Sequence, residues 1–102
     1  MIQNYMIILG DTNNSHFSEM KSRLKKLGDV RQILDNVSIL RYDAQEKENT
    51  VSNIRNKIAL PGYGYCIVIR LTKDFSCAWS LDKESSKFLV NLTNGREDGK
   101  EE

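Results

Sequence analysis

The sequence predicts an α+β domain in which helices cover one face of a small antiparallel sheet. Three stretches carry that expectation. They are a short apolar run from Tyr5 to Leu9 that stops at Gly10 and Asp11, a helically spaced set of Phe17, Met20, Leu24 and Leu27, and a period-two run from Tyr65 to Leu71. A chain of 102 residues has room for one core. The expected organisation is a single domain over residues 1–92, with a C-terminal appendix, followed by a charged, disordered tail over 93–102.

The first run is too short for a helix and has no helical period, and the Asn- and Ser-containing segment from Thr12 to Ser15 turns the chain after it. Asp11 is therefore placed at the rim of a sheet, where ligands and metals gather. An aspartate after a strand also bonds its own following amides, so a turn role stays open beside a ligand role. The next helix runs from about Ser15 to Leu27. Ser15 is placed to cap it, Arg23, Lys25 and Lys26 suit its C-terminal dipole, and Gly28 is read as a left-handed stop. These basic residues lie opposite the apolar stripe, as a solvated surface or a phosphate-contacting patch. His16, the sole histidine, is first-turn filler or an acid/base group.

From Val30 to Tyr42 the apolar residues do not keep one parity, so the reading is two strands, Val30 to Leu34 and Val37 to Tyr42, joined by a hairpin at Asp35-Asn36. A single bulged strand is the competing reading. Asp43 to Asn49 is expected to be an exposed, mobile loop. Thr50 caps a second helix whose buried stripe is Val51, Ile54 and Ile58, and Pro61-Gly62 ends it. Tyr63 to Leu71 is apolar on both faces until Arg70, which predicts a central strand beside the first. Ala78 to Leu81 suggests a further short strand, and Asp82 to Leu92 a weak helix using Phe88, Leu89 and Leu92.

Strand, helix, strand, strand, helix, strand is a ferredoxin-like order, with an antiparallel four-stranded sheet and both helices on one face. The appendix around Trp79 and Leu81 is expected to extend or cover the sheet by joining a second subunit, giving a homodimer.

Composition narrows the function classes. Fifteen Lys+Arg against fourteen Asp+Glu, net +1, gives no global attraction to nucleic acid, so binding to RNA or DNA requires a local patch. Arg31, Arg41 and Arg70, on or beside strands, are candidates for phosphate contacts or for outward ion pairs. Trp79 and Tyr63 suit base stacking or packing. No stretch is apolar enough to span a bilayer and the first residues do not resemble a signal peptide, so the expected location is cytoplasmic, with no membrane partner. Cys66 and Cys77 form neither a disulfide framework nor a zinc signature. The sequence contains no Walker loop, no His-Glu-x-x-His and no nucleophile elbow.

Several segments, in order and spacing, resemble the SinR-like branch of the superfamily that includes CRISPR-associated protein 2 and the virulence-associated protein D toxins. They are the strand ending at Asp11, Lys26-Leu27-Gly28-Asp29, Ile33-Leu34-Asp35-Asn36, Asn53-Ile54-Arg55-Asn56-Lys57, and Val68-Ile69-Arg70-Leu71-Thr72 with Ala78-Trp79. The resemblance covers roughly Tyr5 to Leu81. It implies a ferredoxin-like homodimer in which Asp11 of each copy faces its mate across the two-fold, holding Mg²⁺ for phosphodiester cleavage. The chain departs from the pattern at Gly10, where an aromatic often precedes the aspartate. It departs again at Asn36 and Ser38, where a hydroxyl and an aromatic are usual. Two readings remain: a small metal-dependent nuclease of a prokaryotic defence or toxin system, and a non-catalytic dimeric module for nucleic acid or protein.

Overall fold

The computed structural model describes residues 1–10, 15–60, 65–72 and 80–92. These form β1 (Ile2–Leu9), α1 (Ser15–Lys25), β2 (Asp29–Leu34), β3 (Val37–Asp43), α2 (Val51–Ile58), β4 (Cys66–Leu71) and α3 (Lys83–Leu92). The four strands make one antiparallel sheet in the order β2-β3-β1-β4. Two compact units divide the chain, Met1–Leu71 and Thr72–Glu102.

In the first unit, the alternation of β1 sends Tyr5, Ile7 and Leu9 to one face, where all three are buried. Met20 and Leu24 of α1, Ile54 and Ile58 of α2, and Leu40 and Tyr42 of β3 meet them in a single cluster. Both helices therefore cover the same face of the sheet. Phe17 and Leu27 complete the α1 stripe at the margin of that cluster, as their spacing predicts. The hairpin turns at Asp35-Asn36, and a bulge between Gln32 and Leu34 explains the broken parity of this stretch. The two-strand hairpin reading is the one the structure has, not a single bulged strand, and the β2 register shift adds to it.

Hydrogen bonding fixes which main-chain groups face which neighbour. The Gly10 amide donates to the Tyr65 carbonyl at 2.8 Å, and the Leu9 amide to the Asn36 carbonyl at 2.8 Å. Because antiparallel pairs alternate, even-numbered β1 residues bond β4 and odd-numbered ones bond β3. On β4, residues 67, 69 and 71 direct their backbone at β1, and Cys66, Val68 and Arg70 direct theirs away from it.

Four expectations need correction. β4 lies beside β1 but at the edge of the sheet, not centrally. On the face away from α1 and α2, its Ile67 and Ile69 remain exposed while Leu71 is buried, so the two-faced hydrophobicity that suggested a central strand has another origin. α1 starts at Ser15 itself, so Ser15 is a helical residue and not the residue preceding the helix. Gly28 does not adopt a left-handed conformation; a side chain there would strike the Arg41 carbonyl. Val51 is exposed, leaving Ile54 and Ile58 as the buried residues of α2. The Thr50 cap is as predicted, its side chain accepting from the Asn53 amide at 3.1 Å.

In the second unit, α3 matches the helix expected over Asp82 to Leu92, and Ser80 to Asp82 have no strand structure. The rest of the expected strand, residues 78–79, lies outside the described set, as does the tail from 93 onward. Asp82 caps α3: its Oδ1 accepts from the Ser85 amide at 2.8 Å and its Oδ2 from the Ser85 hydroxyl at 3.2 Å. The Ser85 amide is the main cause holding the Asp82 carboxyl below its ordinary 3.8. A carboxyl lowered in the folded state stabilises the helix above that ordinary value and ceases to as pH falls through the lowered one. Far-UV circular dichroism should show α3 helicity fading below about pH 3.9. Asp82→Asn, which keeps a capping oxygen but cannot titrate, should remove that component.

Candidate functional site

Among the described residues, a buried polar cluster lies where β1, β4 and the entry to α2 meet. Tyr5 and Asn49 are both 0 % exposed. Tyr5 interrupts an aliphatic strand, and its ring belongs to the core while its hydroxyl needs a partner. The hydroxyl donates to Asn49 Oδ1 at 2.6 Å. Asn49 Nδ2 in turn donates to the Met1 carbonyl at 2.8 Å and approaches the Tyr42 and Ala44 carbonyls at 3.4 Å. One side chain thus ties the start of β1 to the end of β3 and to the connection that leads into α2. The segment expected to be an exposed, mobile loop carries the most buried polar side chain described. Its exposed part, Gln45 to Glu48, is turned back by amides of Glu48 and Asn49 donating to the Gln45 carbonyl at 2.9 Å.

Arg70 joins this cluster from β4. It pairs in register with Tyr5, and its guanidinium lies 5.8 Å from the Tyr5 ring centre. Nη2 donates to the Asn49 carbonyl and reaches the Tyr5 hydroxyl at 3.4 Å. Arg70 is exposed at its rim all the same. Further along the same side of β4, Arg55 of α2 lines a shallow groove with Val51, Ser52 and Val68. Burial pushes the Cys66 thiol up, and the nearby Arg55 guanidinium pulls it the other way. Arg55 and Arg70 therefore flank the helix side of the β4 edge. Neither has a carboxylate partner among the described residues.

The remaining basic candidates are scattered. Arg23 binds Glu19 at 3.2 Å and the Ala59 carbonyl at 3.3 Å, so it joins α1 to the end of α2. Lys25 and Lys26 are exposed at the end of α1, and Arg31 is half-buried on β2 with contacts of its own. Arg41 is exposed on β3. Asp11, Tyr63, Cys77 and Trp79 lie outside the described residues, and Leu81 is half-buried ahead of α3. Among the described residues no three His, Cys, Asp or Glu side chains are grouped as metal ligands. Among the described residues no helix is long and apolar enough to cross a membrane.

Sequence reasoning singled out Arg70 but missed its company. A tyrosine at the centre of a buried strand implies a buried hydroxyl partner, and that signal was available at Tyr5. Nothing in the charged stretch from Asp43 distinguished Asn49 as that partner. Comparison with known proteins finds no match among family models, curated proteins or solved structures.

Proposed function

We propose that this chain is a ferredoxin-like, SinR-like homodimer that acts on nucleic acid, with Asp11 of the two copies as a paired Mg²⁺ site for phosphodiester cleavage. The observation that supports this most is the combination of element order and the strand order β2-β3-β1-β4, with both helices on one face. β1 is an inner strand that ends at Leu9, and Asp11 follows two positions later in the sequence. Paired carboxylates suit Mg²⁺, which takes carboxylate oxygens together with water and phosphate. When bound, the metal supplies an activated water and neutralises developing charge. Trp79 and Leu81 are the residues assigned to the dimer contact.

The binding-module reading draws on Lys25 and Lys26, two adjacent exposed cations at the end of α1. One experiment separates the two. Purified protein, shown by sedimentation to be a dimer at micromolar concentration, is given single-stranded RNA and DNA with Mg²⁺ or Mn²⁺. Cleavage that EDTA and Asp11→Asn both abolish, with the dimer retained, supports the nuclease. Binding without cleavage, weakened by Lys25→Glu with a shallower salt dependence, supports the module. A monomer that neither binds nor cleaves removes both readings.

A further inference from the structure

The β4 edge combines three features that together specify a ligand. The first is an unpaired main chain. Cys66, Val68 and Arg70 point their amides and carbonyls away from β1, and β4 pairs with no other strand among the described residues. Natural sheets protect such an edge with lysine, proline, a bulge or a short strand. Cys66–Leu71 has six residues with no lysine, no proline and no register shift against β1.

The second feature is an apolar strip on the face away from the helices. Tyr65, Ile67 and Ile69 are 70 %, 56 % and 43 % exposed, and the strip ends at Leu71, which is 9 % exposed. Ile8 and Gly10 of β1 continue it as the floor of a shallow groove with Tyr65, Cys66 and Ile67. The third is the positive charge on the helix side. Arg55, whose guanidinium bonds Asn56 Oδ1, lines a groove there with Val51, Ser52 and Val68 and no acidic side chain, and Arg70, two residues along β4 from Val68, donates to the Asn49 carbonyl.

We infer that the β4 edge takes an extended acidic-apolar peptide by strand addition, with Arg55 and Arg70 selecting its carboxylates. An added antiparallel strand places its side chains on the same faces as the residues opposite. Positions opposite Arg70 and Cys66 then turn toward the two guanidiniums and favour Asp or Glu. The position opposite Val68 faces the apolar part of the groove, and those opposite Ile67 and Ile69 lie on the open apolar strip. The segment recognised reads acidic, apolar, apolar, apolar, acidic. Its main chain bonds the outward groups of Cys66, Val68 and Arg70, the mode by which sheet edges capture extended peptides.

Charge decides between this occupant and the obvious rivals. A second copy pairing through the same edge would bring both sets of Arg55 and Arg70 to one side of the joint sheet with no counter-charge. Like charges opposed in this way are unfavourable. A nucleic acid strand has phosphates for the arginines but no regular amide donors for the β4 carbonyls.

The probe is an acetylated peptide of two glutamates bracketing three valines, titrated by isothermal calorimetry or fluorescence anisotropy against the full chain. Expected is saturable binding, weakened about tenfold when lysines replace the glutamates, and lost when the central valine is N-methylated. Arg55→Glu, whose side chain is exposed and whose fold is checked by circular dichroism, should reverse the preference between glutamate and lysine peptides. Four outcomes overturn the inference: no binding, binding indifferent to charge or N-methylation, a preference for a single-stranded oligonucleotide, or a self-associated edge that the peptide cannot displace.

Discussion

Asn49→Ala should destabilise the first unit by about 3 kcal/mol or more, the largest effect expected of any single polar substitution in the sheet. The reason is what the substitution strands. The Tyr5 hydroxyl loses the acceptor it reaches at 2.6 Å, and the Met1 carbonyl loses its 2.8 Å donor and keeps the Ala44 amide at 3.1 Å, at a place where Asn49 itself is fully buried. Water cannot replace these bonds without opening the core. Thermal unfolding should show a fall of roughly 15 °C for a domain of this size. Tyr5→Phe is the control. It deletes the hydroxyl and keeps the ring that Arg70 covers, so it should cost about 1 kcal/mol more than a neutral change and couple strongly to Asn49→Ala in a double-mutant cycle. Asn49→Asp gives the same argument a pH signature. It replaces the Nδ2 donor with an oxygen aimed at the Met1 carbonyl, and burial resists ionisation. The destabilisation should be greatest above the raised folded-state value, shrink as pH falls through it, and be smallest below about 3.9. If Asn49→Ala unfolds at the wild-type temperature, the cluster does not hold the connection.

How much of this was legible in the sequence follows from what each residue had to announce. Phe17, Met20 and Leu24 announced α1 because helical burial has a period, and the cap at Thr50 needed only a hydroxyl at the right offset. The Asp35-Asn36 turn was equally local. The position of β4 was not, because hydrophobicity on both faces suits a central strand and also suits an edge built to be covered by something else. Local sequence cannot distinguish burial within the chain from exposure kept for a partner. Asn49 was hidden for a related reason: it stands among Gln45, Glu46, Lys47 and Glu48, which are all exposed, and only the fold brings Tyr5 to it. For the functional site, the sequence nominated Arg70 and passed over Arg55, whose significance depends on lying across from Cys66 and Val68.

Gly28→Ala should also destabilise the domain, by about 2 kcal/mol, although alanine at an unstrained site would stabilise. Replacing glycine normally gains roughly 0.4–1 kcal/mol by restricting the unfolded chain. Here a Cβ would stand 2.6 Å from the Arg41 carbonyl oxygen, far inside contact distance, and the obstacle is backbone rather than the tip of a flexible side chain. Relief requires moving β3, which is held on both sides by β1 and β2, or lifting the α1 end away from the sheet. Either shift disturbs Leu24 and Leu40, which are buried together in the core cluster. Gly10→Ala provides the contrast, since its added methyl would meet the Tyr65 Cβ at 3.1 Å, on a residue with an exposed side chain at the sheet edge. That substitution should stay within about 1 kcal/mol of wild type. Urea unfolding of the two variants measures the difference directly. Equal stability of Gly28→Ala and Gly10→Ala would mean that the close approach of the α1–β2 connection to β3 is not what requires glycine at position 28.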